Sequence, residues 1–348
     1  MASSPIRTVL VTGANGYLAS HIVEQLLEKG YNVHACVRNA DNKASINHLL
    51  QFPSSSTGKL SLFSTGDMGD KTLYGRYEKP MSDCDAVIHA ATPLSPKFSG
   101  EFDGVRDMLN PGMAGTQEIL DCILQCSPSI QCLVLTSSMS AAAPTPEPAM
   151  KDESHWSDDV AQLSRGNYYG CLKTRQERLC HDWAKVGMDK GTLSPHFRFS
   201  AICPTMILGP PVGAVGREGY SYVPSGTMGS FHRWITGGRT SAPNDSMSFV
   251  HVRDCAAMHI AAMENAGASS GRYFSLVESW HWNDILTTLK EIYPDIPLDT
   301  PYRYEGGDII TPTQFNPERM NSLGVKVTSI KNILVESIDF FRSAGVLK

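Results

Sequence analysis

The sequence predicts an α/β fold, a doubly wound parallel sheet with a smaller C-terminal lobe. Two observations carry this. Short apolar runs bounded by turn residues alternate with helical patterns through the first two thirds of the chain, the pattern of strands buried on both faces with helices between them. The first run also opens directly into a glycine-containing turn and an amphipathic helix. The 348 residues, 41% of them hydrophobic, suffice for one large α/β unit and a lesser one.

Taken in order, Ile6–Val11, Asn32–Val37, Lys59–Phe63, Ala86–His89, Cys132–Thr136 and Phe197–Cys203 read as strands. Between them Tyr17–Glu28, Ala44–Leu50, Gly115–Gln125 and Tyr168–Lys185 carry helical periodicity. No internal repeat is visible. The periodicity changes after Pro204. Gly209 to Asn244 is rich in Gly and Pro and reads as a loop-dominated cap. Met247–Val250 reads as a strand returning to the sheet, Arg253–Glu264 as a helix, and Arg272–Ser275 as one more strand. Trp280–Ile292, with Ser279 as its N-cap, and Ile330–Arg342 read as surface helices. The division is therefore residues 1–204 for the nucleotide-binding unit, with return segments near 247–275, and 205–348 mainly for a substrate-binding lobe.

A net charge of −5 without a long basic run gives no reason to expect nucleic acid or an anionic membrane as partner. No apolar run approaches the roughly 20 residues of a membrane helix. Met1-Ala2-Ser3-Ser4-Pro5 leads straight into a strand, so the expectation is a cytoplasmic protein without a signal or transit peptide. Nine cysteines, odd in number and without CxxC pairing, fit reduced thiols. Cys122 and Cys126 share a helix face but lack zinc spacing, as do His89, His181, His251 and His259, so no metal is expected. The state of assembly is expected to be monomer or homodimer.

The turn Gly13-Ala14-Asn15-Gly16-Tyr17-Leu18-Ala19 has the makings of a dinucleotide site of the Rossmann type. One glycine allows the sharp turn, another lets the backbone approach a pyrophosphate, and the helix N-terminus favours its charge. Thr12, Gly13, Asn15, Gly16, Tyr17 and Leu18 are the cofactor candidates here. The second strand ends in Arg38-Asn39 where NAD enzymes usually place an acid. A guanidinium suits a 2′-phosphate, so NADP (NADPH) is the expected cofactor, with Lys43 as a second cation and Asp41 keeping NAD as the alternative. Asp67-Met68 follows the third strand, where a carboxylate can accept from an adenine amino group. Ala90-Ala91-Thr92 follows the fourth with small residues beside the cofactor path.

Tyr169 and Lys173 lie four apart on one helix face. There the ammonium is expected to lower the phenol from its ordinary pKa of about 10. With a nucleotide turn upstream, the pair points to hydride transfer at a carbonyl. Tyr168 has Leu172 four residues on, so the lysine selects Tyr169. A hydrolase elbow of the Gly-x-Ser-x-Gly type is absent around Ser137-Ser138.

Taken together, Thr12-Gly13-Ala14-Asn15-Gly16-Tyr17-Leu18-Ala19, Cys36-Val37-Arg38, His89-Ala90-Ala91-Thr92-Pro93, Leu135-Thr136-Ser137-Ser138, Tyr169-x-x-x-Lys173, Cys203-Pro204-Thr205 and Phe249-Val250-His251-Val252-Arg253-Asp254 resemble the extended short-chain dehydrogenase/reductases. Within them the chain is similar to the dihydroflavonol reductase, cinnamoyl-CoA reductase and aldehyde/ketone reductase group. The resemblance implies Tyr169 as general acid, Lys173 as the partner of the nicotinamide ribose and Ser138 as the group orienting the substrate oxygen, with Ser137 as the alternative serine. It also places Pro204-Thr205 against the nicotinamide. Thr92, Leu94, Met139, Ile207, Tyr220 and Met228 are the pocket candidates. Asn167-Tyr168-Tyr169-Gly170-Cys171 departs from the Asn-Trp-Tyr-Cys-Tyr of cinnamoyl-CoA reductases, and Met139-Ser140 from the Ala-Gly of dihydroflavonol reductases. These departures favour a general NADPH-dependent aldehyde or ketone reductase acting on a small-molecule carbonyl. The competing readings are an NAD-linked epimerase, dehydratase or hydroxysteroid-type dehydrogenase, which would want an acid where Arg38 stands, and a non-catalytic NADP-binding sensor.

Overall fold

The computed structural model describes residues 5–52, 58–93, 102–126, 129–213, 222–236, 241–265, 270–298, 303–304 and 308–347. The first half runs β1 (Thr8–Thr12), α1 (Tyr17–Glu28), β2 (Asn32–Val37), α2 (Lys43–Leu50), β3 (Leu60–Ser64), α3 (Glu78–Met81), β4 (Ala86–His89), α4 (Asn110–Cys126) and β5 (Cys132–Thr136). It continues through β6 (Met150–Lys151), α5 (Asp159–Ser164), α6 (Tyr168–Asp189), β7 (Arg198–Pro204), β8 (Met206–Leu208) and α7 (Gly226–Thr236). The remainder is β9 (Ser241–Ala242), β10 (Ser246–His251), α8 (Val252–Glu264), β11 (Gly271–Ser275), β12 (Ser279–His281), α9 (Trp282–Ile292), β13 (Arg303–Tyr304), β14 (Gln314–Phe315), α10 (Glu318–Ser322) and α11 (Ile330–Ser343).

Seven strands form one parallel sheet in the order β11-β7-β5-β4-β1-β2-β3. The alternation of side chains along β1 shows how the layers arise. Val9 and Val11 pack with α1, α2 and α8 on one face of the sheet. Leu10 packs with α4 and α6 on the other. On α1, Leu18, Ile22, Val23, Leu26 and Leu27 make the buried stripe, at the spacing a helix needs to lie on a sheet.

After β7 the chain leaves the main sheet at Thr205, whose N–H donates to the Ser275 carbonyl at 3.1 Å. It then enters a three-stranded sheet in the order β12-β10-β8. That sheet corrects one expectation. Residues 246–251 do not return to the main sheet; they pair with β8 and β12. Among the described residues after Thr205, Gly271–Ser275 is the segment that returns, beside β7. A second correction is α7, which lies inside the stretch read as loop. It buries Met228, Phe231 and Ile235 at helical spacing, and this packing overrides the low helix propensity of Gly226 and Gly229. The lobe core joins these residues to Phe249 and to the apolar faces of α9 and α11, with Trp282 stacked on Trp234 at 3.9 Å between ring centroids. The N-cap of α9 is His281, whose ring accepts from the Asn283 N–H; Ser279 is in β12. Helix α4 begins at Asn110 after a π-helical turn over Val105–Leu109, earlier than the periodicity indicated, because Pro111 and Gly112 mask its first turn.

A buried ion pair fastens the segment after β3 to α4. Arg76 Nε donates to Glu118 at 3.1 Å, with the side chains 5% and 3% exposed. Glu118 also accepts from the Gly75 and Arg76 N–H groups, while Arg76 donates to the carbonyls of Thr65, Asp67 and Asp70. Removing one partner of such a pair strands the other charge. Glu118→Ala is therefore expected to lower the unfolding free energy by about 3–5 kcal/mol, read from urea denaturation. A loss below about 1 kcal/mol, the level of an exposed pair, would show that the pair is not held out of water.

Candidate active site

Strand order reverses between β1 and β4, and open parallel sheets bind ligands at the carboxyl ends of the strands at such a point. Here the two strand ends are tied together. Thr12 is fully buried and its hydroxyl accepts from the N–H groups of Ala90 and Ala91 at 3.1 and 3.0 Å and meets His89 Nδ1 at 2.8 Å. The Thr12 side chain is thus occupied within the protein. Gly13 has φ +62°, and a Cβ there would sit 3.0 Å from Ala91 Cα. The turn closes with the Gly16 N–H donating to the Gly13 carbonyl at 2.8 Å. Gly16 is the N-cap of α1 and brings no side-chain cap. A tight glycine cradle opposite a helix N-terminus that no side chain caps fits a pyrophosphate. Asn15 donates from Nδ2 to the Ser45 carbonyl at 3.2 Å, joining this turn to α2. Tyr17 donates from its phenol to the Gly209 carbonyl at 2.6 Å, and burial raises its pKa well above 10. Leu18 packs inward.

Arg38 projects from the end of β2 with its side chain 63% exposed and its Nε 3.9 Å from Asp67 Oδ2. Asp67 Oδ1 accepts from the Gly69 N–H. Met68 covers Gly115 of α4. Lys43 is exposed at the start of α2. Arg38 and Asp67 thus share the rim at the ends of β2 and β3, with Lys43 on α2.

Helix α6 opens with Asn167 accepting from the Gly170 N–H. It brings Tyr169 and Lys173 to the ends of β4 and β5. Lys173 is 2% exposed. Its ammonium donates to Thr92 Oγ1 at 2.7 Å and to the Thr136 carbonyl at 2.8 Å. Burial lowers its pKa to about 8, opposed first by the Glu177 carboxylate. Tyr169 faces Ser138. Burial raises the phenol, and the Ser138 hydrogen bond acts against that rise. This corrects the expectation that Lys173 lowers the phenol: its Nζ lies 6.0 Å from the Tyr169 ring centroid, and burial outweighs any lowering. Burial, then the Lys173 charge, also lowers His89 to about 3.

The two serines diverge. Ser137, 1% exposed, donates to Glu177 Oε2 inside the protein. Ser138 caps a short turn over Met139–Ala141, its Oγ accepting from the Ser140 N–H at 3.1 Å. Tyr168 lies against Gly104, where a Cβ would come within 2.0 Å of its ring, so it packs. Pro204 ends β7 buried and Thr205 is partly exposed. Met139 sits against Ala142, Cys203, Phe274 and Leu276. Ile207 packs on the main core. Met228 belongs to the lobe core, 1% exposed, and is no pocket wall. Leu94 and Tyr220 lie outside the described residues. The sequence reading missed Glu177 and Arg272. Glu177 was accessible as an acid four residues beyond Lys173 on the same face; Arg272 carries no comparable signal. Among the described residues no helix is long and apolar enough to cross a membrane.

A dinucleotide-type turn, a basic strand end and a Tyr-x-x-x-Lys helix at one switch point define a nucleotide-binding α/β oxidoreductase class. The chain matches the NAD dependent epimerase/dehydratase family over residues 9–275 and belongs to it. It is 29% identical to cinnamoyl-CoA reductase 1 of Arabidopsis thaliana over 354 residues, spanning 100% of this chain and 92% of that protein. It is 27% identical to tetraketide alpha-pyrone reductase 2 of the same plant, over 97% and 99%. Its fold matches yeast methylglyoxal/isovaleraldehyde reductase Gre2 complexed with NADPH at a TM-score of 0.78, with 20% identity over 98% of this chain and 100% of that one.

Gly13→Ala puts a side chain into left-handed backbone and against Ala91. It is expected to lower stability by about 1–2 kcal/mol from the backbone alone, visible as a fall in thermal midpoint. An unchanged midpoint would mean that the turn relaxes and that its tightness is not enforced.

Proposed function

We propose that this chain is an NADPH-dependent reductase that adds a hydride to an aldehyde or ketone carbon, with Tyr169 as the general acid. The observation that carries the reading is the Tyr169 phenol facing the Ser138 hydroxyl, with the Lys173 ammonium buried on the same helix face. The glycine cradle and the exposed Arg38 fit the pyrophosphate and 2′-phosphate of NADPH. The relatives' names, reductases in each case, and the NADPH in the Gre2 complex support the same reading.

When bound, the reduced nicotinamide supplies the hydride. Ser138 donates to the carbonyl oxygen and orients it. Tyr169 passes its phenolic proton to that oxygen as the carbon gains the hydride, so the carbonyl becomes an alcohol. A phenol raised by burial is fully protonated at neutral pH and therefore loaded for this step. The tyrosinate left behind keeps the Ser138 hydrogen bond and the field of Lys173 until water returns the proton. Lys173, with Thr92, is the anchor for the nicotinamide ribose. Thr12 through its backbone, with Gly13, Asn15, Gly16, Tyr17 and Leu18, forms the pyrophosphate turn. Arg38 and Lys43 would hold the 2′-phosphate, Asp67 and Met68 the adenine, and Ala90, Ala91, Pro204 and Thr205 would border the nicotinamide. Met139, adjoining Ser138 and set in an apolar cluster, gives the carbonyl substrate an apolar neighbour.

Turnover of NADPH and NADH by the purified protein, against aldehydes, ketones, dihydroflavonols and hydroxycinnamoyl thioesters, tests the assignment. Consumption of NADPH with one carbonyl class is the expected result; NADPH binding without turnover on any class would favour a sensor. Tyr169→Phe should lose roughly 10²–10⁴-fold in kcat while NADPH fluorescence titration is unchanged, and retained turnover would remove Tyr169 as the acid. Arg38→Asp should shift the NADPH/NADH ratio of kcat/KM toward NADH by about ten- to a hundredfold, the worth of a charged hydrogen bond. An unmoved ratio would place 2′-phosphate recognition elsewhere.

A further inference from the structure

We propose that Glu177 is a positioning residue for this reduction: its carboxylate fixes the Ser138 turn through Ser137 and Arg272 and keeps the Lys173 ammonium charged beneath Tyr169. The inference rests on the reductase reading above.

Tyr169, Lys173 and Glu177 are spaced i, i+4 and i+8 on α6, one face of the helix. Glu177 is 0% exposed. Its Oε2 accepts from Ser137 and its Oε1 from Arg272 Nε. Arg272, 4% exposed, donates onward to the carbonyls of Glu153, His155 and Ala141, the last at 3.0 Å, and its guanidinium lies 3.9 Å from the Trp156 ring centroid. Ala141 belongs to the turn that Ser138 caps, its N–H donating to the Ser138 carbonyl at 2.9 Å. The turn is therefore held on one side by Ser137 on Glu177 and on the other by Ala141 on Arg272.

A buried ion pair is seldom the most stable filling of its volume; apolar residues often serve as well or better. The charge of Glu177 has a second addressee in Lys173. The titratable groups acting on or acted on by that ammonium are Tyr169, Glu177 and Cys180 from α6, Cys203 from β7, His89 from β4 and His259 from α8. Burial lowers both imidazoles, His89 to about 3 and His259 to about 4, so they are neutral at pH 7. Burial pushes both thiols up and raises the phenol. Of these groups only Glu177 is anionic at neutral pH, and it is held so: burial pushes its carboxyl up, but His181, Arg272 and Ser137 outweigh that and its pKa is lowered. The direct partners of the ammonium, Thr92 Oγ1 and the Thr136 carbonyl, carry no charge.

The sign follows. Lys173 is needed charged, and its pKa of about 8 already reflects the raising field of Glu177. Without that field the pKa falls, so the ammonium is lost at lower pH. The test is the pH profile of kcat/KM for NADPH-dependent carbonyl reduction. The wild type should decline above about pH 8. Glu177→Gln should move this basic limb to lower pH, by about one unit for the loss of an opposite charge one helical turn away. Glu177→Asp, which keeps the charge, should leave the limb in place even where kcat falls. A limb unmoved in Glu177→Gln, with kcat lowered equally at every pH, would reduce Glu177 to a structural role and overturn the inference. If that variant does not fold, because Arg272 is left unpaired, the double change Glu177→Gln with Arg272→Met carries the same expectation and the same refutation. If the wild type consumes no NADPH with any carbonyl, or Tyr169→Phe keeps its turnover, the reductase reading fails and takes this inference with it. If the wild type is active and Tyr169→Phe is not, an unmoved limb refutes the role of Glu177 alone.

Discussion

The buried charge of Lys173 is the constraint around which the site is arranged. An ammonium removed from water without compensation loses its proton instead. Here the compensation comes from three directions. The end of β5 turns its Thr136 carbonyl to the ammonium, and the segment after β4 adds Thr92 Oγ1. One turn further along α6 stands Glu177. The fold also places His89 and His259 near it, and burial keeps both neutral, so neither adds a second cation beside the ammonium. Burial keeps His259 neutral, and its contacts set the tautomer: Nδ1–H donates to the Cys255 carbonyl at 2.7 Å, which leaves Nε2 to accept from the Thr136 hydroxyl at 2.8 Å.

The same polar chain ties the nucleotide turn to the chemical helix. From Thr12 at the end of β1 it passes to His89 of β4, whose Nε2 lies 3.3 Å from Thr116 Oγ1 of α4, and Gln176 of α6 donates to that oxygen at 2.7 Å. Each of these side chains is buried. Buried side chains joined by hydrogen bonds resist displacement, because breaking one of these bonds leaves a polar atom unpaired in a low-dielectric interior. The glycine turn and Tyr169 are thus parts of one braced unit, although more than 150 residues separate them in the chain. Hydride transfer depends on sub-ångström placement of donor and acceptor, and a rigid connection between the two halves of the site is what such placement requires.

Much of this was legible in the sequence, and the limits follow a physical pattern. Strands β4 and β5 and helix α1 show through composition alone, because central parallel strands must be mainly apolar and a sheet-covering helix must present one apolar stripe. Local spacing also singled out Tyr169 over Tyr168. What local spacing does not encode is the partner across the fold. Ser137 and Ser138 are indistinguishable as neighbours in sequence; they separate only because Ser137 meets Glu177 and Ser138 meets Tyr169 in the fold. The sign of the Tyr169 shift was misjudged for the same reason, since a helix face reveals the lysine but not the burial that outweighs it. In the lobe, α7 and the pairing of β10 depend on contacts with α9 and α11, and glycines obscure the local pattern.

Helix α1 explains how a separately built lobe stays in register with that rigid centre. Its N-terminus forms the dinucleotide turn, and its outer face grips the chain after β8. Tyr17 donates to the Gly209 carbonyl, His21 Nε2 lies 3.1 Å from the Pro210 carbonyl, and Gln25 donates to the Arg253 carbonyl at 2.9 Å. Gly209, at φ +122°, leaves no room for a side chain because His251 lies where its Cβ would be. These contacts are made to backbone carbonyls, so they fix the path of the chain without fixing side chains elsewhere in the lobe. The lobe's entry point thereby keeps its distance from the glycine turn. Helix α8 braces the same junction: it packs on α1, on β5 and β7 of the main sheet and on β8 and β10 of the small one, so the lobe is held to the main sheet by helices that touch both.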